Sequence, residues 1–246
     1  MRESVLNRLA RAACGEHVAR VVEIGPGVGA LTRHLLRRTD ELHAVEIDSS
    51  LADLLRRKLG DDSRLHVHEA DVLKIDLSQW GAAVITGNLP YYITSPIIEL
   101  FLQLDERFST GVFLMQWEVS QRILAQPGSR AYGYLSVATQ LVCDIELVEK
   151  VPPSAFRPPP QVTSSALRFT RRETQIADLA AIKRFAGWCF SQKRKTLRNN
   201  LRPHYGAAID GYPEAGLRAE QLFPAQIVDL YRRLSAEVAA TNVSVH

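Results

Sequence analysis

Two hydrophobic periods alternate along the first 170 residues of the chain. Short apolar, β-branched runs at Val18 to Ile24, Leu42 to Ile47, Leu65 to Glu69, Ala82 to Thr86 and Gly111 to Gln116 predict five strands. Stretches with a period near 3.6 separate or precede them: Ser4 to Cys14, Ala30 to Arg38, Ser49 to Leu59, Ser95 to Leu104 and Glu118 to Gln126 predict helices, the first capped by Ser4 and stopped by Gly15. Leu135 to Cys143 continues as a helix, while Ile145 to Val151 and Val162 to Phe169 predict paired strands flanking a proline-rich loop. From Ile176 onward the pattern is helical only. This order predicts an α/β fold of the Rossmann-like kind, a largely parallel sheet covered by helices, followed by a smaller C-terminal all-helical domain. Strands cease and charge rises near Arg171 to Thr174, so the expected domains are residues 1–172 and 173–246.

Composition narrows the class. No stretch of the 246 residues is apolar for long enough to cross a membrane, and Arg2, Glu3, Arg8 and Arg11 break up the first segment, so neither an export signal nor a membrane span is expected and a cytoplasmic site is. Cys14, Cys143 and Cys189 are odd in number and in no metal-ligand spacing, which predicts reduced thiols in the core and no disulfide or zinc. The net charge of +3 is unevenly spread: after Thr170, twelve Lys and Arg face seven Asp and Glu. The densest basic cluster is Lys193, Arg194, Lys195 and Arg198, a candidate contact for backbone phosphates.

The candidate chemistry lies in the turns after the strands. Glu23-Ile24-Gly25-Pro26-Gly27-Val28-Gly29 joins a buried strand to a helix, and its glycines let a ligand approach the backbone. Glu46, about 20 residues on, ends the second strand, where a carboxylate can accept the hydroxyls of a ribose in NAD or in S-adenosylmethionine. Three features favour S-adenosylmethionine. Asp71 follows the third strand and can accept from an adenine amine, in a pocket whose acids suit a sulfonium better than a pyrophosphate. Pro26 removes an N–H that a phosphate cradle would use. Asn88-Leu89-Pro90-Tyr91 follows the fourth strand, beside the first across the point where sheet order reverses.

That tetrad suits chemistry on the amino group of a planar base. Asn88 offers a side-chain oxygen, Pro90 biases Leu89 toward an extended backbone with its carbonyl outward, and Tyr91 can stack on a ring.

The chain resembles the KsgA-type ribosomal RNA adenine dimethyltransferase family from Val5 nearly to its end. The likeness is carried by Glu23-Ile24-Gly25-Pro26-Gly27 with Leu31-Thr32, by Glu46-Ile47-Asp48, Asp71-Val72 and Asn88-Leu89-Pro90-Tyr91, by the run Ala131 to Ser136, the loop Pro152 to Pro160, and Lys193 to Asn199. The resemblance implies a methyltransferase fold that uses S-adenosylmethionine to dimethylate the N6 amine of two adjacent adenosines near the 3′ end of small-subunit ribosomal RNA, with a role in late small-subunit assembly. It implies that Gly25, Gly27, Glu46, Asp71 and Asn88 hold the cofactor, that Asn88, Leu89, Pro90 and Tyr91 with Phe156 form the catalytic pocket, and that Tyr91 and Phe156 sandwich the extruded adenine. The partners implied are ribosomal RNA and the immature small subunit, met by a monomer. Relatives carry a Gln-Asn-Phe-Leu motif before the first helix, and this chain begins after that point. If the protein begins at Met1, weakened cofactor affinity, to the point of no turnover, on an intact fold is therefore expected. The rival readings are a nicotinamide oxidoreductase, a non-catalytic assembly factor and a large-subunit methyltransferase.

Other residues are given structural readings. His66 and His68 share a strand face without a third ligand at suitable spacing, so no metal is expected, and Trp117 and Trp188 are expected in the core.

Overall fold

The structure is a computed structural model and describes residues 1–173, 176 and 178–243, with side chains to residue 240. The chain divides into two compact units, one made of Met1–Ser120 with Cys143–Arg172, the other of residues 121–142 with the chain from Glu173 onward. The break at 172/173 lies where strands cease, but the expected contiguous domains are corrected in one respect: residues 121–142 cluster with the C-terminal helices. Hydrogen bonds give the reason. Tyr132, wholly buried, donates its hydroxyl to the Leu222 carbonyl at 2.9 Å, and Gly128 donates its N–H to the Glu220 carbonyl at 2.7 Å.

The first unit is a seven-stranded sheet in the order β3-β2-β1-β4-β5-β7-β6. Its parallel strands are β1 (Val18–Ile24), β2 (Thr39–Glu46), β3 (Leu65–Glu69), β4 (Val84–Asn88) and β5 (Thr110–Gln116). An antiparallel hairpin of β6 (Cys143–Val151) and β7 (Ser164–Arg171) extends the edge, with β7 against β5. The helices α1 (Glu3–Cys14), α2 (Thr32–Leu35), α3 (Ser49–Leu59) and α4 (Thr94–Gln103) belong to this unit, and α5 (Trp117–Leu124) leads out of it. Strand β5 is buried on both faces along almost its whole length, which is why residues 111–115 read as an unbroken apolar run. Leu6, Leu9, Leu35, Leu42, Leu55, Val112 and Leu114 belong to one core cluster. Phe101, Phe113 and Phe169 form an edge-to-face trio at 5.6–6.0 Å.

Three local expectations are corrected. Helix α1 begins at Glu3, with Arg2 rather than Ser4 at its N-cap and no capping side chain, while Gly15 at φ 57° ends it as expected. The helix expected over Ala30 to Arg38 is regular only over Thr32–Leu35, because Val18 donates to the Arg38 carbonyl at 2.9 Å and draws the chain into the sheet three residues before the reading allowed. Strand β4 runs two residues later than read, so Asn88 is its last residue. Gly87 permits this, since a Cβ there would meet the Ile24 carbonyl oxygen at 2.4 Å.

The second unit holds α6 (Tyr134–Val142), α7 (Leu179–Cys189), α8 (Leu197–Tyr205) and α9 (Pro224–Val243), with short 3-10 turns between α8 and α9. Phe185, Leu197, Leu201, Ile209, Ile227 and Leu230 are fully buried. Asn200 donates to the Cys189 carbonyl at 2.6 Å and so ties α8 to the end of α7. The three cysteines are buried free thiols, and among the described residues no helix is long and apolar enough to cross a membrane.

Candidate active site

Sheet order reverses at β1, which lies between β2 and β4, so the loops after these three strands open onto one crevice. In the turn after β1, Gly25, Gly27 and Gly29 take φ values of 65°, 56° and 82°, conformations that a side chain would strain. The Glu46 carboxylate fastens this turn: one oxygen accepts from the Gly27 N–H at 3.0 Å, the other from the Asp48 N–H at 3.1 Å. Glu46 is only 6 % exposed, so its carboxylate belongs to the interior of the turn. Asp71 is half-buried, accepts from the Leu73 N–H at 3.0 Å and lies 3.4 Å from Lys74 Nζ.

Beneath the turn lies a group that sequence reasoning missed. Glu23, 1 % exposed, has a carboxylate oxygen with no hydrogen-bond partner among the described residues. Burial pushes its carboxyl up to about 8, and the charge of Glu46 adds to that rise. An orphaned buried oxygen beside a second carboxylate suits a cationic ligand, whose charge would draw the proton off the carboxyl on binding. Val28, Ile47 and Leu73, on the loops after β1, β2 and β3, are exposed apolar residues that suit an aromatic one. Together they fit S-adenosylmethionine, which joins an ammonium and a sulfonium to an adenine.

The same group makes stability depend on pH. A carboxyl protonated in the fold up to about pH 8, and ionising near 4.5 when unfolded, contributes stability that is full below 4.5 and lost as pH rises through 8. Glu23→Gln keeps the shape and removes the titration. Thermal melts of the unliganded protein between pH 5 and 9 are expected to show that decline in the native chain and a flatter profile in the variant; parallel profiles would contradict the assignment.

At the end of β4 the exposed Asn88 side chain makes no hydrogen bond among the described residues. Leu89 is buried and donates its N–H to the Leu114 carbonyl at 2.9 Å, leaving its own carbonyl without a donor among the described residues. The Pro90 carbonyl accepts from the Ile93 N–H at 3.1 Å and the Thr94 hydroxyl at 3.2 Å, which starts α4. Tyr91 places its hydroxyl 2.9 Å from that of Ser164. Residues 88–91 form one wall of a cleft of about 380 Å³, and Phe156 with Pro158, Pro159 and Pro160 forms the other. That volume is within the range of small-molecule sites. Phe156 also rests against the core cluster, as Met1 does, so it is both anchored and a cleft wall. A Cβ on Gly25 would lie 3.9 Å from Pro90 Cδ, so the glycine turn and the tetrad adjoin.

The basic cluster divides. Lys193 donates to the Arg130 carbonyl at 2.6 Å and Arg198 pairs with Asp210 at 2.8 Å, whereas Arg194 and Lys195 are exposed with no ion pair among the described residues. His66 and His68 stack about His43, whose other neighbour is the Trp80 ring at 4.5 Å, and the described residues contain no group of three or more ligands fit for a metal. The tryptophan expectation is corrected. Trp117 is half-buried under the Lys150 ammonium, 3.8 Å from the ring centroid, and Trp188 is half-buried against His204 at 3.9 Å.

Comparison with known proteins identifies the family. A family model described as ribosomal RNA adenine dimethylase matches residues 2–236. Ribosomal RNA small subunit methyltransferase A of Acidobacterium capsulatum is 42 % identical over 228 residues, covering 87 % of this chain and 81 % of that protein. The protein of the same name from Bordetella pertussis is 41 % identical over 242 residues, covering 95 % and 90 %. Among solved structures, a dimethyladenosine transferase from Plasmodium falciparum superposes with a TM-score of 0.82 at 25 % identity, covering 96 % of each chain. The 23S rRNA methyltransferase ErmE superposes with a TM-score of 0.70 at 28 % identity, covering 93 % of this chain and 97 % of its own. With a family model spanning nearly its whole length and curated relatives above 40 % identity, the chain belongs to the ribosomal RNA adenine dimethylase family.

Proposed function

We propose that the chain dimethylates N6 of two adjacent adenosines in the 3′-terminal hairpin of small-subunit ribosomal RNA and acts on the immature small subunit. The observation that carries this reading is the cleft shared by residues 88–91 and Phe156, adjoining the glycine turn. S-adenosylmethionine, the cofactor of this family, supplies an electrophilic methyl carbon on a sulfonium. Glu46, Glu23 and Asp71 would hold its ribose, ammonium and adenine amine, with Gly25 and Gly27 giving its backbone room.

The catalytic work of the chain is positional. An adenine amine is a poor nucleophile because its lone pair is drawn into the ring. The Asn88 side-chain oxygen and the Leu89 carbonyl each accept one N–H, which aims the nitrogen; orientation of this kind supplies as much as about 7–11 kcal/mol of barrier reduction. Tyr91 and Phe156 stack on the two faces of the base. Extrusion costs a few kcal/mol and each stacking contact returns about 1–3 kcal/mol, so two rings suffice and one is marginal. Each transfer would form one N–C bond, break the donor's S–C bond to leave a neutral thioether, and release one amine proton to solvent; after the first, one N–H remains, and a single acceptor aims the second.

Labelled S-adenosylmethionine, incubated with small subunits from a methylation-deficient strain, tests the reading by mass mapping of the nucleosides. Dimethyladenosine at two neighbouring positions is expected. Small subunits left unlabelled while large subunits assayed in parallel take up the label, or subunit binding without transfer, would overturn it.

The exposed Arg194 and Lys195 are proposed as phosphate contacts of the second unit, which we read as its RNA-binding part. Lys193 and Arg198, held by Arg130 and Asp210, contribute less in this reading. Replacing Arg194 and Lys195 together by Ala is expected to lower the slope of log affinity against log salt by about two. Titrations at several salt concentrations check it, and an unchanged slope removes these residues from the interface.

A further inference from the structure

The cleft accommodates one base, yet the substrate is a chain of nucleotides, and its walls are flanked by two side chains that the proposed reaction leaves unused. Tyr92 is 81 % exposed, the most exposed of the large apolar and aromatic residues among those described, although it directly follows cleft-lining Tyr91. Consecutive Cα atoms lie about 3.8 Å apart, which places Tyr92 at the rim. The two tyrosines open a 3-10 turn, Tyr91–Ile93, where successive side chains diverge by a third of a turn. Tyr91 accordingly reaches Ser164 while the Tyr92 ring faces solvent, with no hydrogen bond among the described residues.

On the other wall, Arg157 stands between the lining residues Phe156 and Pro158, exposed and without an ion pair among the described residues. The loop that presents it is held at its base, where Ala155 and Phe156 donate N–H groups to the Pro152 and Pro153 carbonyls at 2.9 and 3.0 Å. One wall thus offers a π face and the other a guanidinium. A ring alone or a cation alone suits many ligands. The pair, set beside a slot for a planar base, matches a nucleotide, whose base stacks and whose phosphate accepts from arginine.

Resting on the functional reading above, we propose that Tyr92 and Arg157 hold the nucleotide adjoining the extruded adenosine, Tyr92 stacking on its base and Arg157 contacting its phosphate. Extrusion strips that neighbour of a stacking partner, and Tyr92 replaces it. In a substrate with two adjacent target adenosines, the neighbour is the next target, so the rim holds one adenosine while the slot holds the other.

The test measures binding, separately from methyl transfer. Two RNA hairpins serve as probes, one with two adjacent adenosines in its loop and one with the second adenosine made abasic. The unaltered protein is expected to bind the first about tenfold more tightly, the equivalent of one stacked base. Tyr92→Ala is expected to erase that preference while leaving affinity for the abasic hairpin unchanged, and Tyr92→Phe to keep it. Arg157→Ala is expected to lower the salt slope by about one on both hairpins. Equal affinity of the unaltered protein for the two hairpins, an equal loss on both with Tyr92→Ala, or a salt slope unaffected by Arg157→Ala overturns the assignment. Failure to methylate small subunits would instead sink the functional reading, so the two failures are distinguishable.

Discussion

Asn88→Ala is expected to reduce the rate of methyl transfer about a hundred- to a thousandfold and to leave the fold intact. The magnitude follows from what removing one preorganised hydrogen-bonding group from a reacting centre costs in other enzymes. Preservation of the fold follows from the structure: Asn88 is exposed at the end of β4, and its side chain makes no hydrogen bond among the described residues, so truncation leaves no buried group unpaired. The strand pairing of Asn88 with Leu114 is made by the backbone and survives. Single-turnover transfer of a labelled methyl group, with thermal melts of the same preparations, checks both halves. A rate within a few fold of the native one would remove Asn88 from the reacting centre. Unchanged association with small subunits is expected alongside, which separates this outcome from that of a binding module.

The second large effect concerns the two rings. With extrusion costing a few kcal/mol and each stack returning about 1–3 kcal/mol, loss of one ring is expected to raise the half-saturating RNA concentration about tenfold. Loss of both is expected to leave no detectable transfer. The conservative variants separate stacking from packing. Tyr91→Phe loses the contact with Ser164 Oγ but keeps the π face, so most activity should remain. Phe156→Leu keeps apolar contact with the core cluster and removes the π face, so activity should fall with little change in melting temperature. A Phe156→Leu protein as active as the native one would show that residue to be a loop anchor alone.

Much of the first unit was legible because its periods are unambiguous. The strand Val18–Ile24 and the helix Ser49–Leu59 fall on the residues read from the pattern. Asp48, whose side chain accepts from the Leu51 N–H at 3.1 Å, caps that helix locally. Errors arose where a distant partner outweighed local preference. Residues 30–38 have a helical period, but the bond from Val18 to Arg38 ends the helix early. Residues 121–142 carry no mark of the unit they join, because Tyr132 and Gly128 find their acceptors some 90 residues later.

The site divides in the same way. Glycines and carboxylates at strand ends were readable, since backbone conformation and strand termini are local properties. Glu23 was not, since nothing local distinguishes a carboxyl under a glycine turn from one in solvent; only tertiary burial strands its oxygen and raises its proton affinity. The basic cluster was readable as charge, but which cations stay free depends on Asp210 and the Arg130 carbonyl.

The sequence alone determined the alternation of strands and helices, the glycine turn, the tetrad and the proline loop, because each follows from steric and hydrophobic preferences spanning a few residues. Tertiary structure alone decided that Tyr91 and Phe156, 65 positions apart, form opposite walls of one cleft beside the glycine turn. The β6–β7 hairpin and the pairing of β7 with β5 bring the proline loop there, and such pairing is set by the burial of whole strand faces rather than by any short stretch of chain.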